Sequence, residues 1–388
     1  MERFLRTPHL LAQQRQDLDP LGRAATVHHD PSWGPVQPAD GRLRGVHAPG
    51  DHPVPDRAEG VHRGHHADRC ERLSPVRVAL IGSGWIQDFH ARGIQACPGA
   101  ELAAVANHRE QSARAFAERY AIPRVTTDWR SLTEDDAIQA AIVATPNALH
   151  AEQSVAFLDA GKHVLVEKPM AVSVEACDAM IEASQRGGAS LMVAHCWRFH
   201  PDVIAMRDRI ASGELGEVVK TRGYGVHAGW GPKGWFVDPA LAGGGALVDM
   251  GVHAIDTARF LLGDPTPERV CAAIGTRYGP YTVDDDGIVL IGWSNRTNSV
   301  VESGWWHQHK EGMEADTEVY GTKGYARIFP REEPSEDHDH APQSMYTAQM
   351  QEFLSAIEQG RAPTPSGSDG RVVMEVVERA YASGGRGG

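Results

Sequence analysis

Hydrophobic and polar positions from Val76 to His195 alternate between two patterns, which together predict repeated strand–helix units. Short apolar runs rich in branched side chains are typical of strands that are buried on both faces. The segments between these runs are longer and read as helices. The predicted strands are Val76–Ile81, Glu101–Asn107, Ala140–Thr145, His163–Glu167 and Ser190–His195, and the predicted helices are Trp85–Ala96, Arg109–Tyr120, Ala148–Ala160 and Val174–Arg186. Units of this length imply a parallel sheet with helices on both faces.

The pattern changes in the second half of the chain. Ile204–Ala211 predicts a helix, and a run rich in glycine and tryptophan follows it. Beyond residue 266 the predicted strands are Arg269–Tyr278, Gly287–Trp293, Ser299–Trp306, Ala315–Tyr320 and Tyr325–Phe329. With few helices between them, they predict an open, mainly antiparallel sheet. A charged, loop-like piece at Pro330–Pro342 precedes two last predicted helices, Met345–Glu358 and Arg371–Ala382.

The first 74 residues differ from the rest of the chain in composition. They are crowded with His, Arg, Asp, Pro and Gly and carry few aliphatic residues with any period. Such a segment buries too little apolar surface to offset its ordering entropy. We therefore expect residues 1–74 to be a disordered tail or an extension ahead of the true start. His62, His65 and His66 suggest a metal site, but no partner follows at a fixed spacing.

Bulk composition excludes several classes of protein. The 388 residues carry a net charge of −13, whereas a nucleic-acid surface needs a basic patch. We find neither an apolar run long enough to span a membrane nor the apolar core of a signal peptide. The five cysteines are scattered, without a CxxC pair. These features predict a reduced, cytoplasmic protein that binds neither nucleic acid nor membrane.

The first predicted strand leads directly into Gly82-Ser83-Gly84 and then a helix. Gly82 allows a turn too tight for a side chain, and Gly84 lets the backbone approach a pyrophosphate closely. The N–H groups of the helix N-terminus then point at the anion. Gln87 stands where this motif has a small residue that lets the helix sit tightly on the strand. We expect Gln87 to point outward or to push the helix slightly away.

The residues after the second predicted strand bear on the choice of cofactor. An acidic residue there accepts hydrogen bonds from the adenosine ribose and repels a 2′-phosphate. This chain has the neutral Asn107 instead, and Arg109 is a partner for such a phosphate. The pair is compatible with NAD or NADP and leans slightly towards NADP. A purely structural role, with Asn107 as the N-cap of the next helix, remains an alternative.

Two more strand ends carry polar residues. Thr145-Pro146-Asn147 and His150 follow one strand, and Glu167-Lys168-Pro169 follow the next. Ligands of parallel sheets bind beyond the carboxyl ends of the strands. We therefore expect Lys168 to point into the ligand crevice, although an ordinary surface lysine is the competing interpretation.

A glycine run at 243–245 opens a predicted helix that carries Asp249, His253 and Asp256. Their spacing of i, i+4 and i+7 predicts one narrow stripe of the helix surface. A carboxylate one turn from an imidazole orients the ring and supports its positive form, as a proton acceptor requires. Three alternatives remain open at this point: a polar surface, a divalent metal site and a hydrogen-bonded core histidine.

These motifs, with Arg198-Phe199-His200-Pro201 and Gly251, resemble the Gfo/Idh/MocA family of glucose–fructose oxidoreductase and inositol dehydrogenase relatives. The resemblance covers about residues 76–388. It implies an α/β protein with an N-terminal Rossmann dinucleotide-binding domain, placed at 75–197. A C-terminal α/β domain with a large open, mainly antiparallel sheet is placed at 198–388. The implied reaction is hydride transfer between NAD or NADP and a sugar, sugar derivative or cyclitol.

The resemblance also implies the residues of the site. Lys168, Asp249 and His253 match the family's catalytic set: His253 takes the hydroxyl proton, Asp249 orients the imidazole and Lys168 stabilises the developing alkoxide. The Lys168–Pro169 peptide is often cis in the family. The expected substrate contacts are Lys168, Arg198, Trp235, Asp249 and His253, and Trp230, Trp305 and Trp306 are further candidates for a ring face against a sugar. The expected cofactor contacts are Gly82, Gly84, Trp85, Ile86, Asn107, Arg109, Thr145, Pro146, Asn147, His150, Glu167 and Lys168.

No metal is expected, and a homo-oligomer, a dimer or tetramer through the open sheet face, is implied. Two other functions on the same fold stay open. The family includes NAD-using glycosidases, in which a transient oxidation activates elimination and the NAD is regenerated. A non-enzymatic sensor of a sugar or nucleotide is the third candidate, and the presence of Lys168, Asp249 and His253 argues against it.

Overall fold

The computed structural model describes residues 74–307, 314–329 and 342–384, all within one compact unit. The expectations for residues 1–73 and for the charged piece at 330–341 therefore lie outside the described residues.

Six parallel strands build the first sheet, in the order β3-β2-β1-β4-β5-β6. The strands are β1 (Val76–Ile81), β2 (Ala100–Ala106), β3 (Arg124–Thr126), β4 (Ala140–Val143), β5 (His163–Val166) and β6 (Leu191–Val193). The helices between them are α1 (Trp85–Gln95), α2 (Glu110–Tyr120), α3 (His150–Asp159) and α4 (Val174–Gly187). Each strand and helix predicted for this half is present. The three-residue β3 at the sheet edge was not predicted.

The strand order places a crevice beside β1. From β1 the chain winds outward in one direction to β2 and β3, and later in the other direction to β4, β5 and β6. The loops after β1 and β4 therefore diverge at the carboxyl edge of the sheet, where doubly wound sheets bind dinucleotides. The glycine loop at Gly82 and the lysine at Lys168 both follow strands of this sheet and lie at that edge.

The second sheet is mixed and mainly antiparallel, in the order β12-β11-β7-β10-β9-β8, with β7 and β10 parallel. Its strands are β7 (Val218–Val226), β8 (Pro267–Gly275), β9 (Asp286–Trp293), β10 (Asn298–Gly304), β11 (Ala315–Gly321) and β12 (Tyr325–Arg327). The remaining helices are α5 (Pro201–Ala211), α6 (Pro239–Ala242), α7 (Val252–Leu261), α8 (Gln343–Gln359) and α9 (Gly367–Ser383).

The central strand β7 was not predicted, because glycines and charged residues interrupt its apolar pattern. The structure explains the glycines. A Cβ on Gly225 would lie 2.3 Å from the main-chain oxygen of Met250, and one on Gly223 would lie 2.9 Å from Thr317 Oγ1. Glycine in this strand therefore allows the segment that carries Asp249 to pack directly on the sheet.

The two last helices return to the first half of the chain. Met350 and Phe353 of α8 are buried in the same core as Val78 and Ile94, so α8 completes the packing over the first sheet. Helix α9 packs on β8 and α4. The two sheets lie on either side of residue 198 in the sequence, whereas α8 and α9 pack back on the first half, so the boundary at 198 stays a prediction.

One face of the second sheet carries apolar side chains in solvent. Along β9 the side chains of Val289 and Ile291 are buried, whereas Ile288 is 48% exposed and Leu290 is 53% exposed. This alternation is the period-two pattern of a sheet covered on one face only. In the part of the chain that the structure describes, no helix is long and apolar enough to cross a membrane.

Candidate active site

The loop after β1 has the backbone features of a phosphate-binding turn. Gly82 has φ +101°, and a Cβ there would lie 2.3 Å from the main-chain oxygen of Ala144. Gly84 begins α1 without a side-chain cap, and no atom lies within 4 Å of the position that its Cβ would take. The first-turn N–H groups of a helix need partners, so these residues fit a pyrophosphate. Beside them Trp85 is 70% exposed and Ile86 is half-buried.

Gln87 does not point outward, which was one of the two orientations that we expected. Its side chain is fully buried, and its Nε2 donates to the main-chain oxygen of Ile142 in β4 at 3.3 Å. The amide thus lies in the contact between α1 and β4, at the position where the glycine motif has a small residue. Its Oε1 is buried without a partner, which is the cost of placing an amide in this contact.

Asn107 joins the end of β2 to the phosphate loop. Its Nδ2 donates to Ser83 Oγ at 2.6 Å, and its Oδ1 accepts the N–H of Arg109 at 2.9 Å. The N-cap of α2 is therefore Arg109 rather than Asn107. The side chain of Arg109 is exposed beside this loop.

Thr145, Asn147 and His150 mainly brace the loop after β4. The hydroxyl of Thr145 donates to Gln153 Oε1 at 2.7 Å, and Asn147 Nδ2 donates to the main-chain oxygen of Ala242 at 2.8 Å. Both ring nitrogens of His150 lie 2.9 Å from main-chain oxygens, those of Pro169 and Thr145. His150 is buried with its two ring nitrogens next to these main-chain oxygens, and its expected contact with a cofactor stays a prediction. Pro146 precedes the short 3-10 turn Asn147–Leu149 with extended backbone.

Glu167 is held by a histidine that our sequence reasoning did not single out. His90 of α1 is fully buried, and its Nε2 lies 2.8 Å from Glu167 Oε1. Glu167 Oε2 accepts the backbone N–H of Lys168 at 3.0 Å. Burial alone would raise the pKa of Glu167, but the bond to His90 and the charge of Lys168 hold this pKa below its ordinary value. The Lys168–Pro169 peptide is cis, as the resemblance implied.

Lys168 reaches across to the second half of the chain and contacts Asp249. Its Nζ lies 2.8 Å from the main-chain oxygen of Asp249 and 3.2 Å from Oδ1. Trp305 is fully buried, and its Nε1 donates to Asp249 Oδ2 at 3.1 Å. Burial alone would raise the pKa of Asp249, but Lys168 and His227 hold this pKa well below its ordinary value. Asp249 is therefore an ionised carboxylate in the site.

The segment that carries Asp249 is not the regular helix that the spacing predicted. Leu247–Gly251 forms a π-helical turn, in which the N–H of Val252 bonds to the oxygen of Leu247, and α7 begins at Val252. The turn therefore departs from the regular helix on which the predicted stripe of Asp249, His253 and Asp256 was based, and the stripe itself stays a prediction.

His253 is buried close to Asp249 without bonding to it. Among the hydrogen bonds of the described residues none joins His253 to Asp249, and His253 Nδ1 has no partner. Burial lowers the pKa of His253 well below its ordinary value, and the charge of Lys168 lowers it further. The imidazole is therefore neutral and has a free nitrogen. Its orientation by Asp249, as we predicted it, is not supported by the geometry.

Asp256 and Arg198 form a separate buried ion pair. Arg198 Nε lies 2.9 Å from Asp256 Oδ2, and Arg198 Nη2 lies 2.7 Å from Oδ1. Asp264 also contacts the guanidinium, at 3.0 Å. Arg198 is 3% exposed and is bound by these carboxylates, and its expected contact with the substrate stays a prediction.

The glycine run before Asp249 lets the chain pass close to Asp284. A Cβ on Gly245 would lie 1.8 Å from the main-chain oxygen of Asp284. The carboxylate of Asp284 accepts the N–H groups of Gly245 and Leu247, each at 2.8 Å, and the hydroxyl of Tyr381 at 2.6 Å. These bonds fix the start of the π-helical turn and thereby the position of Asp249.

The aromatic candidates differ in what they offer a ligand. Trp305 is buried, whereas Trp230 is 46% exposed and Trp235 is half-buried and stacked on Phe236 at 3.9 Å. Trp306 lines a cleft of about 410 Å³. The other residues that line this cleft are Pro232, Lys233, Val237, Tyr278, Gly279, Pro280 and Tyr281. Within the described residues, no group of three or more His, Cys, Asp or Glu side chains is arranged to hold a metal ion.

His90 and His227 are the residues that sequence reasoning missed. His90 lies on α1, which we read only for its glycine loop, and His227 follows a strand that was not predicted. The signal for His227 was present, since it lies one residue beyond the end of β7, but the strand had to be known first. His227 Nε2 lies 3.3 Å from Asp249 Oδ2.

Comparisons with known proteins agree with this architecture. The family described as "Oxidoreductase family, NAD-binding Rossmann fold" matches residues 76–195, and the "GFO/IDH/MocA C-terminal domain" matches residues 203–327. The chain is 30% identical to the 1,5-anhydro-D-fructose reductase of Ensifer adhaerens, over 76% of this chain and 92% of that protein.

Two more similarities bear on cofactor and substrate. The chain is 28% identical to the inositol 2-dehydrogenase of Rhizobium meliloti, over 79% of this chain and 96% of that protein. The structure of a levoglucosan dehydrogenase in complex with NADH superimposes with a TM-score of 0.72 at 25% identity, over 80% of this chain and 97% of that one.

Proposed function

Because this chain belongs to the Gfo/Idh/MocA family of NAD-binding oxidoreductases, we propose that it oxidises or reduces a sugar, sugar derivative or cyclitol. The hydride passes between a nicotinamide cofactor and a carbon that bears a hydroxyl or keto group. One observation carries the proposal: the contact of Lys168 with Asp249 at the carboxyl edge of the parallel sheet. A cation, a carboxylate and the neutral imidazole of His253 are the groups that a hydroxyl needs when it loses a proton.

The cofactor would be held by the loops that follow β1, β2 and β4. Gly82, Gly84 and the first turn of α1 would bind the pyrophosphate, and Asn107 with Arg109 would lie near the adenosine ribose. Trp85, Ile86, Thr145, Pro146, Asn147 and Glu167 remain proposed neighbours of the cofactor. When bound, the nicotinamide supplies a carbon that takes or gives the hydride.

The protein's own groups would handle the proton and the charge. His253 is the proposed proton acceptor, since its ring is neutral and lies close enough to Lys168 to feel its charge. The Lys168 ammonium would stabilise the oxygen as its negative charge develops, and Asp249 would hold that ammonium in place. Trp235, with its partly exposed ring, is the proposed face for the sugar.

The other two functions have less support. The relatives named above are a reductase and dehydrogenases, and none of these names describes a glycosidase or a sensor. The contact of Lys168 with Asp249 and the nearby imidazole of His253 support a catalytic set, which a sensor would not require.

The assembly and location are also proposed. A second copy of this chain would cover the open face of the second sheet, where Ile288 and Leu290 are half-exposed. We propose a cytoplasmic enzyme, because four cysteines of the described residues are free thiols.

The test is a panel of polyols, inositols and sugars offered with NAD and with NADP, followed by the absorbance of the reduced nicotinamide. We expect net reduction of the cofactor with at least one cyclic polyol. Release of free sugar without net reduction would favour the glycosidase, and binding of a sugar without any turnover would favour the sensor.

A further inference from the structure

The side chain of His227 lies between two carboxylates. Its Nε2 is 3.3 Å from Asp249 Oδ2, and its Nδ1 is 3.1 Å from Glu314 Oε2. A neutral imidazole carries one N–H, so it donates to only one of two such acceptors. Both contacts are satisfied together only when both ring nitrogens carry a proton.

Neighbouring groups hold both His227 and Glu314 in place. The indole of Trp230 stacks on the His227 ring, with centroids 3.7 Å apart and planes at 27°. Trp230 Nε1 and the backbone N–H of Ala228 each donate to Glu314 Oε1 at 3.0 Å. An aromatic face over a ring favours the positive form of that ring, so the surroundings of His227 favour the imidazolium.

The charges around His227 alternate in sign. Lys168 contacts Asp249, Asp249 contacts His227, and His227 contacts Glu314. The side chains of Asp249 and His227 are 10% and 11% exposed, whereas that of Glu314 is 33% exposed. Lys168, Asp249, His227 and Glu314 therefore form a row of charged side chains that runs from the buried site to its rim.

Other groups act on this row as well. His253 lies close enough to feel the charges of Lys168 and His227, and it is neutral. Burial by itself lowers the pKa of His227, but the bonds to Asp249 and Glu314 raise it above its ordinary value. Burial by itself raises the pKa of Glu314, but the bonds to His227, Ala228 and Trp230 lower it.

We propose that His227, kept protonated by Glu314, is a positioning residue that holds the Asp249 carboxylate in place against Lys168. The inference rests on the proposed function and extends it to two residues outside the catalytic set. His227 binds Oδ2 and leaves Oδ1 and the main-chain oxygen of Asp249 to Lys168. Glu314 lies 87 residues beyond His227 in the chain and contacts its Nδ1, so it acts on Asp249 through His227.

The proposal gives the enzyme a pH dependence of defined sign. A raised pKa means that the proton is present at low pH and is lost as the pH rises above the ordinary range of histidine. When it is lost, His227 donates to only one of the two carboxylates, and if that one is Glu314, Oδ2 of Asp249 keeps only the bond from Trp305, so Asp249 is held less firmly. Activity should therefore show a decline at alkaline pH that belongs to His227.

The first measurement is the NMR titration of His227 in the cofactor-free protein and in Glu314→Gln. We expect a pKa above the ordinary value in the wild type. In Glu314→Gln it should fall by about one unit or more, the usual effect of one close charge. A His227 that titrates at or below its ordinary value in the wild type would overturn the inference, whatever the activity.

The second measurement is the pH profile of kcat. In Glu314→Gln the alkaline decline should move to lower pH together with the NMR value. His227→Gln keeps a donor in the place of Nε2 but loses the charge, so the decline should vanish and kcat should fall by about tenfold. His307→Gln is the matched control, because His307 pairs with Asp286 at the end of the same sheet, at 3.4 Å. It should leave the profile unchanged.

The two proposals fail in different ways. If the wild type oxidises no cyclic polyol, the proposed function fails, while the NMR titration still decides whether His227 is held protonated by Glu314. If the enzyme is active and Glu314→Gln shifts the NMR pKa without moving the kcat profile, His227 has only a structural role. In that case the positioning inference is wrong and the proposed function stands.

Discussion

Lys168 binds Asp249 at two atoms, the main-chain oxygen at 2.8 Å and the carboxylate Oδ1 at 3.2 Å. The contact joins the end of β5 to the π-helical turn that precedes α7, so it connects the two halves of the chain at the proposed reaction point. A bond to a main-chain oxygen depends on the backbone as well as on the side chain. The position of the Lys168 ammonium therefore depends on the π-helical turn Leu247–Gly251. The catalytic proposal can be tested at Lys168 and in the segment that carries this turn and α7.

The first prediction concerns the catalytic set. Lys168→Ala and His253→Ala should each lower kcat by about a hundredfold or more, the usual scale for groups that handle a proton or an oxyanion. The double variant should be little worse than the worse single one, because groups that act as a unit are not additive. The dissociation constant of NADH, measured by fluorescence, should change far less, since the phosphate loop lies elsewhere.

Lys220→Ala is the control for this series, because Lys220 lies on β7 with its ammonium over the ring of Tyr320. It should keep the kcat of the wild type. A chelator should have no effect on the wild type. If His253→Ala keeps near-normal kcat while chelation abolishes activity, the catalytic set is wrong and a metal site takes its place.

The second prediction concerns the choice of cofactor. Arg109→Ala should weaken the binding of NADP more than that of NAD, since the exposed Arg109, two residues after Asn107, is the proposed partner of a 2′-phosphate. Titrations of both cofactors measure this directly. Arg114→Ala, which removes an exposed arginine paired with Glu110 on the same helix, should change neither affinity. Equal losses for NAD and NADP in Arg109→Ala would show that Arg109 does not read the phosphate.

The features that could be predicted from the sequence are local ones. The strands β1, β4 and β5 are continuous apolar runs, and a rule about parallel sheets then places the residues at their ends. Lys168 and the glycine loop follow from that reasoning alone. The motif before Asp249 was also visible, because the three glycines at 243–245 stand out in the sequence.

The features that were missed depend on contacts between distant parts of the chain. The π-helical turn at Leu247–Gly251 has an ordinary helical composition, and its packing on Gly225 of β7 appears only in three dimensions. Gln87 finds its hydrogen-bond acceptor on Ile142, 55 residues away. His227 and Glu314 are brought together by pairing of β7 with β11. Spacing along the chain carries no information on such pairs.

The third prediction concerns acid stability. Burial alone would raise the pKa of Asp369, but Arg198 and Arg259 lower it from 3.8 to about 2. A lowered pKa means that the stabilisation is present above the unfolded value and is lost as the pH falls through about 4 towards 2. Asp369→Asn should therefore reduce the free energy of unfolding by about 2 kcal/mol at pH 7.

Urea denaturation at several pH values tests this prediction. The difference in the free energy of unfolding between the wild type and Asp369→Asn should shrink as the pH falls towards the pKa of Asp369 in the folded protein. At that pH the wild type also loses the negative charge. Glu118→Gln changes an exposed carboxylate on α2 and should have little effect at any pH. A difference that stays constant down to pH 2 would assign the loss to packing or capping rather than to the ion pairs.

The fourth prediction concerns residues 1–74, which lie outside the described residues except for the last. Their composition does not support a core of their own. Removing them should leave the midpoint of thermal unfolding and kcat nearly unchanged. A large drop in either quantity would mean that this segment takes part in the folded enzyme.

The last prediction concerns the open face of the second sheet. Ile288 and Leu290 lie on its uncovered side, 48% and 53% exposed. A second copy that covers this face would bury them, so Leu290→Glu should leave an unpaired charge in the interface and split the oligomer. Light scattering coupled to size exclusion measures the mass. Ile204→Glu is the control, because Ile204 is 42% exposed on α5, and α5 packs on α7, the helix that covers the other face of the sheet. The mass should stay that of the wild type. If Leu290→Glu keeps the mass of the wild-type oligomer, the copies meet elsewhere.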